Sequence, residues 1–191
     1  MPLVQPSPPP ETWEAYRKGV DELDALDRVP HDLPAGEIPQ EIYVLDLKEI
    51  VKGAGPELAK PVVWQFLRGA ASGPAIAADV AHPQPGKQSR LTSLARGPLI
   101  NKSIESSRQV EKLPEVKRNN YELRRLSIPG LSIRVFWLKS LEAGVDLAVP
   151  YHNLHREIKD MQPYPMPKFM RIVKRLAVKR LKFDDSPRPK R

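Results

Sequence analysis

The chain has 191 residues, a formal net charge of +8 at pH 7, 22 prolines and no cysteine. Disulfides and thiolate metal sites are therefore excluded, and nothing in the composition demands an oxidising compartment. Met1–Pro10 is rich in proline rather than basic and then apolar, so no secretory signal is predicted there. No apolar run reaches the roughly 20 residues of a membrane span. We therefore expect a cytoplasmic protein that has no membrane partner.

The charge is unevenly distributed along the chain. Residues 1–60 carry 6 Lys/Arg and 12 Asp/Glu, residues 61–160 carry 15 and 9, and residues 161–191 carry 10 and 2. An acidic first third thus precedes a basic remainder. We expect the basic part to bind polyanions.

The proline clusters and the hydrophobic pattern divide the chain into three parts. Residues 1–40 are predicted to form a Pro-rich, acidic N-terminal extension that is disordered over Met1–Pro10 and helical over Glu11–Leu26. Residues 41–183 are predicted to form one α+β domain that includes a basic C-terminal helix. Residues 184–191 are predicted to be a disordered basic tail.

The predicted domain begins with a strand and a helix. Ile42–Leu47 is predicted to be a strand, although part of this segment could begin a helix. The apolar stripe within Val62–Leu67 predicts a helix that begins at Pro56 or at Pro61, since proline is favoured in the first helical turn.

A second helical region and a small sheet are predicted to follow. The helical region covers Leu91–Ala95 and Ile100–Leu113, whereas Ala75–Ala81 is apolar but too short to assign. Alternating apolar residues predict a three-stranded antiparallel meander over Tyr121–Tyr151, with a type II turn at Pro129-Gly130. The predicted α+β fold is therefore a small antiparallel sheet with two N-terminal helices packed on it.

The last predicted element is a basic amphipathic helix over Lys168–Phe183. Apolar residues share one side of this helix, and lysines and arginines share the other. Three roles fit this pattern. The basic side is simply solvated, or it binds ribosomal or messenger RNA phosphates, or the helix lies on a membrane surface, which the lack of an interfacial tryptophan disfavours.

Several short motifs occur in a recognisable order: Gly97-Pro98-Leu99, then Tyr121-Glu122-Leu123-Arg124, then Ile133-Arg134-Val135-Phe136-Trp137. This order resembles the RelE/HigB superfamily of toxins from toxin–antitoxin systems, in particular its phage-derived HigB branch. Val62–Leu67 is similar to the first helix of that family. The chain departs from the family after the last strand, where Tyr151-His152-Asn153-Leu154-His155 replaces a Phe-x-Lys-Lys run and removes both lysines.

The resemblance implies a ribosome-associated endoribonuclease that cleaves mRNA and is neutralised by a cognate antitoxin protein. It places Arg124 and Arg134 at the strand arginines of the family, and His152 near the end of the last strand. Arginine neutralises the charge that develops on a phosphate under attack, and histidine transfers protons near neutral pH. Arg124, Arg134 and His152 are therefore the catalytic candidates, provided that both arginines share one face of the sheet. No cofactor and no metal are predicted.

Six further side chains are candidates for nucleic-acid binding: Lys112, Arg125, His155, Arg171, Lys174 and Arg175. The alternative reading of the same residues is a non-catalytic basic interaction module, of phage or mobile-element origin, that binds nucleic acid or a partner protein. The missing lysines favour this alternative. A metal site at the two histidines after the last strand is a weaker explanation than a surface loop. The sequence leaves the oligomeric state open.

Overall fold

The computed structural model describes residues 3–30, 33, 36–69 and 74–184, except for the side chains of residues 183 and 184. The helices in this part of the chain are α1 (Pro10–Asp24), α2 (Leu47–Lys52), α3 (Pro98–Val110), α4 (Pro114–Arg118) and α5 (Met166–Asp184). The strands are β1 (Ile38–Val44), β2 (Lys60–Gly69), β3 (Ala75–Ala81), β4 (Leu91–Arg96), β5 (Tyr121–Ile128), β6 (Ile133–Ser140), β7 (Leu147–His152) and β8 (Tyr164–Pro165). Among the described helices, none is both long enough and apolar enough to cross a bilayer.

All these strands belong to one mixed sheet in the order β4-β3-β2-β1-β5-β6-β7-β8. Every neighbouring pair is antiparallel except β1 and β5, which run parallel with Ile42 opposite Arg125. The sheet therefore consists of two antiparallel meanders joined by one parallel pair. Because a parallel neighbour needs a long crossover, the remainder of the first meander and α3 separate β1 from β5 along the chain.

Helices α1 and α5 cover one face of the sheet, which we call the α5 face. Helix α1 packs on the first meander, where the ring of Tyr16 stacks on Phe66 with 4.2 Å between the ring centroids. Helix α5 packs on the second meander, where Phe169 and Val173 are fully buried in the same cluster as Val135. Each meander thus has its own helical cover on this face.

Helix α3 covers part of the opposite face, which we call the α3 face. Ile104 is buried against Leu67 and Ala77 of the first meander. Farther along the helix, Val110 is buried with Phe136 of the second meander. The central strands are therefore covered on both faces.

The predicted small antiparallel sheet with two N-terminal helices packed on it is wrong. Val62–Leu67, predicted to be helical, lies in β2, and Leu91–Ala95, also predicted to be helical, forms most of β4. Strand β2 buries Trp64 under α1 and Leu67 under α3, so its apolar residues do not alternate with polar ones. A strand buried on both faces gives an apolar run that resembles a helical stripe.

In the second half of the chain, the observed elements agree better with those predicted from the hydrophobic pattern. The antiparallel meander predicted over Tyr121–Tyr151 is confirmed as β5, β6 and β7. The predicted helix Ile100–Leu113 corresponds to α3, and the basic C-terminal helix corresponds to α5. The reversal at Pro129-Gly130 is a 3-10 turn that ends at Ser132 with φ of 53°, rather than a type II turn.

The N-terminal residues contact the sheet. The disorder predicted for Met1–Pro10 is not seen at Val4, which forms a parallel bridge with Glu122, and helix α1 corresponds to most of the predicted helix Glu11–Leu26. The backbone N–H of Val4 donates to the carbonyl of Tyr121 at 2.9 Å. Residues 1 and 2 lie outside the described residues, as does the predicted C-terminal tail from residue 185 onward.

Candidate functional site

The two arginines that were predicted to hold one phosphate lie on opposite faces of the sheet. In the β5–β6 hairpin Arg124 is opposite Trp137, whereas Arg134 is opposite Ser127. Directly opposed residues share a face, and successive residues of a strand alternate between faces. Arg124 therefore lies on the α5 face and Arg134 on the α3 face. The prediction that these two guanidinium groups form one phosphate clamp is wrong.

Arg124 is engaged in contacts within the protein. Its Nε donates to the Glu122 carboxylate, and 18% of its side chain is exposed. Its guanidinium carbon lies 5.1 Å from the ring centroid of Tyr43 and 5.2 Å from that of Trp137. A cation that is paired with a carboxylate and packed on two aromatic rings is a structural contact. These contacts give no support to a catalytic role for Arg124.

Arg125 is buried, with 3% of its surface exposed. Its Nη1 donates to Gln40 Oε1 at 2.8 Å and to Gln65 Oε1 at 2.5 Å, and its Nη2 donates to the Tyr151 hydroxyl. Burial, followed by the charge of Arg134, lowers the pKa of Arg125 from 12.5 to about 9, so the group remains charged at pH 7. Because Arg125 is buried and its Nη1 and Nη2 donate within the protein, its position gives no support to the prediction that it contacts nucleic acid.

Arg134 and His152 are brought together on the α3 face. They lie directly opposite each other where β6 pairs with β7, and both are half-buried. Burial is the main cause that lowers the pKa of His152 below 6.5, and the charges of Arg134 and Lys102 act in the same direction. Asp160 opposes this shift. His152 is therefore a neutral imidazole at pH 7 beside a fixed positive charge.

This lowered pKa predicts a decline in stability in mild acid. The unfolded chain, in which His152 has an ordinary pKa of about 6.5, binds the proton more tightly than the folded chain. We therefore expect the free energy of unfolding to fall as the pH decreases below about 6.5, and the His152→Gln variant to lose part of this dependence. Urea unfolding between mildly acidic and neutral pH measures both. A His152→Gln variant with the same pH dependence as the parent would contradict the assignment.

The predicted residues Lys112 and His155 lie in two different regions. Lys112 is exposed in the turn after α3. His155 follows β7, and its Nε2 lies 2.8 Å from the carbonyl oxygen of Leu131, an acceptor that the ring N–H satisfies. Within the described part of the chain, no three His, Asp or Glu side chains are placed to hold a metal ion.

The densest positive charge of the described residues lies along α5. Seven lysines and arginines of this helix are exposed and form what we call the basic face of α5: Lys168, Arg171, Lys174, Arg175, Lys179, Arg180 and Lys182. The opposite side of the helix is buried against the sheet through Phe169, Val173 and Ala177. The three predicted residues Arg171, Lys174 and Arg175 therefore lie together, on the exposed side of one helix.

Few carboxylates offset this charge. Glu157 accepts from Arg175 at 3.0 Å and lies 3.8 Å from Lys179, and all three side chains are largely exposed. Exposed ion pairs of this kind contribute little stability and exchange readily with other partners. Among the residues that the structure describes, no ion pair reaches Lys168, Arg171 or Lys174. The basic face of α5 therefore keeps a strong net positive charge.

A cavity of about 940 Å³ lies elsewhere, between α1 and the β3–β4 hairpin. Glu11, Glu14, Lys18 and Glu22 of α1 line one wall, which is net negative, and Lys87 and Arg90 of the hairpin line the other. None of the residues predicted to be catalytic lines it. Because its walls carry opposite charges, the cavity does not define a site for one kind of ion.

No protein-family model matches the chain, and no similar curated protein or solved structure is found. The motifs that resemble RelE/HigB toxins are distributed as follows. Tyr121–Arg124 lies in β5 and Ile133–Trp137 in β6, whereas Val62–Leu67, which is similar to the first helix of that family, lies in a strand. Any functional assignment therefore depends on the residues of this chain.

Three residues on the side of the sheet that α3 covers were not among the sequence-based candidates: Gln40, Gln65 and Lys102. Gln40 and Gln65 hold the buried Arg125, and Lys102 lies close enough to His152 to affect its pKa. Gln65 carries a sequence signal, because it is a single amide among the apolar residues of Val63–Leu67 and a buried amide needs a polar partner. Gln40 carries a weaker one, since Glu41 follows it in β1. No local pattern marks Lys102, since only the packing of α3 brings it to β7.

Proposed function

We propose that this protein is a non-catalytic module that binds nucleic acid in the cytoplasm through the basic face of α5. The observation that carries the proposal is the division of α5 into a buried apolar side and an exposed side of seven cations. Its 19 residues extend over about 28 Å at the helical rise of 1.5 Å per residue. A rigid row of lysine and arginine of this length matches the repeated charges of a phosphate backbone.

A comparison with α1, the other long helix on the α5 face, supports a specific role for the positive charge of α5. An ordinary solvated helix mixes both signs of charge along its exposed side. Helix α1 does so, with Glu11 and Glu14 followed by Arg17 and Lys18. Helix α5 has seven lysines and arginines and a single aspartate, at its last residue. An excess of one sign on one helix favours binding of a polyanion over simple solubility.

The position of the arginines favours the non-catalytic alternative over the endoribonuclease. The proposed cleavage required Arg124 and Arg134 to stabilise one phosphate from a shared face. Arg124 is paired with Glu122 on the α5 face, and Arg134 lies on the other face. The basic face of α5 needs no such convergence, because binding a phosphate backbone requires only accessible positive charge.

Binding of labelled RNA and DNA by the full chain, measured at several salt concentrations, tests the proposal. We expect the Arg171→Gln/Lys174→Gln/Arg175→Gln variant to bind more weakly and to reduce the slope of log affinity against log salt by about 2 to 3, since each lost phosphate contact removes about 0.7 to 0.9. The matched control is Arg108→Gln/Lys117→Gln/Arg118→Gln. It loses the same charge from exposed positions in α3 and α4, and we expect it to leave the slope unchanged.

Three results would overturn the proposal. Equal effects of the two triple variants would mean that net charge alone governs binding. Absence of binding at low salt would point to an acidic partner protein instead of a nucleic acid. Cleavage of the RNA during the assay would favour the endoribonuclease, and a cognate antitoxin would then be its expected partner.

A further inference from the structure

Among the described residues, no carboxylate contacts the buried guanidinium of Arg125. Its hydrogen-bond acceptors are the amide oxygens of Gln40 and Gln65 and the hydroxyl of Tyr151, all of which are neutral. The nearest carboxylate in this network is Asp79, which accepts from Gln65 Nε2 at 2.7 Å. The side chain of Gln65 therefore lies between Asp79 and the guanidinium. The Nε of Arg125 is buried without any partner among the described residues. Buried charges are normally paired, so this positive charge lacks its counterion.

A second unpaired guanidinium lies next to the first. Arg134 faces Ser127 across the β5–β6 pair, and Ser127 is two residues beyond Arg125, so the two arginines are diagonal neighbours on the α3 face. The charge of Arg134 lowers the pKa of Arg125, as expected of two close cations. Among the residues that the structure describes, no hydrogen bond or ion pair reaches the Arg134 side chain. Half-buried like charges without a bridging carboxylate repel each other.

His152 and Lys102 extend this cluster toward solvent. His152 lies opposite Arg134 on the neighbouring strand, and its side chain has no hydrogen bond among the described residues. Lys102 of α3 and Asp160 of the loop after β7 also affect the pKa of His152, so both lie near it. The carboxylate of Asp160 is already occupied, since it accepts from Lys102 and from Asn153, each at 2.7 Å.

We propose that Arg134, His152 and Lys102, with Arg125 behind them, form a binding site for the phosphate group of a small molecule. The cluster has three fixed cations, Lys102, Arg125 and Arg134. The carboxylates beside it are Asp79 and Asp160, and both are hydrogen-bonded to other residues. A phosphate supplies the missing negative charge and accepts from the unpaired guanidinium of Arg134 and from the imidazole. Arginine suits this role because it stays charged and donates two parallel hydrogen bonds.

This site is separate from the basic face of α5. Arg134 and His152 lie on the α3 face, whereas α5 packs on the opposite face of the same sheet. A nucleic acid that lies along α5 is therefore separated from Arg134 by the sheet itself. The small-molecule site does not rest on the proposed nucleic-acid function, and each can fail without the other.

Titration of the full chain with inorganic phosphate, in chloride of equal ionic strength, tests the site. Calorimetry is expected to show saturable binding to one site, and the NMR signal of His152 is expected to show a higher pKa when phosphate is bound. Phosphate bound near His152 stabilises the imidazolium, which Arg134 and Lys102 destabilise and Asp160 stabilises in the free protein. We expect Arg134→Gln to weaken phosphate binding by about tenfold or more.

The matched control is Lys139→Gln, which removes the same charge from the same strand but on the α5 face. We expect this variant and the Arg171→Gln/Lys174→Gln/Arg175→Gln variant to bind phosphate as the parent does. The proposal is overturned if Arg134→Gln binds phosphate normally, if either control loses binding to the same extent, or if the parent shows no saturable binding up to about 10 mM phosphate. A phosphomonoester and free phosphate are then compared as competitors, and tighter binding of the ester is the expected result.

Discussion

Replacing Arg125 with methionine is expected to lower the free energy of unfolding by about 3 kcal/mol, because two buried oxygens and one partly buried oxygen lose their donor. Gln40, Gln65 and Tyr151 all accept hydrogen bonds from this guanidinium. Each buried polar group that is left unsatisfied costs about 1 to 3 kcal/mol, and removal of an unpaired buried charge offsets part of the total. Urea unfolding at neutral pH measures the difference.

Arg124→Met provides the control for this prediction. Arg124 is the preceding residue on the same strand, but it faces the other side and pairs with a partly exposed carboxylate. We expect this variant to lose about 1 to 2 kcal/mol, less than Arg125→Met, since the ion pair and the packing on Tyr43 and Trp137 are lost but neither charge is fully buried. If Arg125→Met were as stable as the parent, the amide network would not depend on the guanidinium. The buried charge of Arg125 would then contribute to phosphate binding and not to the stability of the fold.

The fold was predictable where each strand has one apolar face and one mixed face. In β6, Ile133, Val135 and Trp137 alternate with other residues, and the meander was found from that period. Strand β2 has no such period because α1 and α3 cover both of its faces. The parallel pairing of β1 with β5 joins segments that are far apart in the chain, and no local pattern encodes it.

The error at the candidate site has a specific physical origin. In β5, Arg124 is two residues from Leu126 and four from Ile128, so it points to the same face as they do. In β6, Arg134 lies between Ile133 and Val135, so it points to the opposite face from them. Because the two apolar sets pack into the same cluster, the two arginines must point to opposite faces. This conclusion follows once the register of the hairpin, with Ile128 opposite Ile133, is known. In contrast, the closeness of Lys102 to His152 depends on how α3 lies across the sheet, which is a tertiary property.

The sheet separates two kinds of positive charge. The cations of α5 are exposed on a helix surface, where their attraction for a polyanion is long-range and strongly reduced by salt. Arg125 and Arg134 are buried or half-buried, where screening is weaker and an ion in contact interacts more strongly. We therefore expect binding at α5 to be sensitive to salt and tolerant of sequence. Binding at Arg134 should be less sensitive to salt and selective for the shape of the ligand.

Replacing Phe169 with alanine is expected to lower the free energy of unfolding by about 4 kcal/mol, the usual cost of removing a large buried ring. Phe169 is fully buried between α5 and the sheet, and its ring centroid lies 6.3 Å from that of Tyr164. A domain of ordinary stability has about 5 to 15 kcal/mol in total, so this one ring holds a large share of it. Urea unfolding measures the loss.

The neighbouring residue provides the control, and the same pair of variants links the packing of α5 to its proposed binding role. Lys168→Ala removes an exposed side chain one position earlier and is expected to change stability by about 0.5 kcal/mol or less. It should nevertheless weaken nucleic-acid binding, because it removes one cation of the basic face of α5. Phe169→Ala, studied at low temperature where it remains folded, should bind nucleic acid nearly as the parent does, since all seven cations remain.

A loss of less than about 1 kcal/mol in Phe169→Ala would contradict the buried position of this ring. The apolar side of α5 would then be available to a partner, and the division of the helix into a packed side and a binding side would be lost.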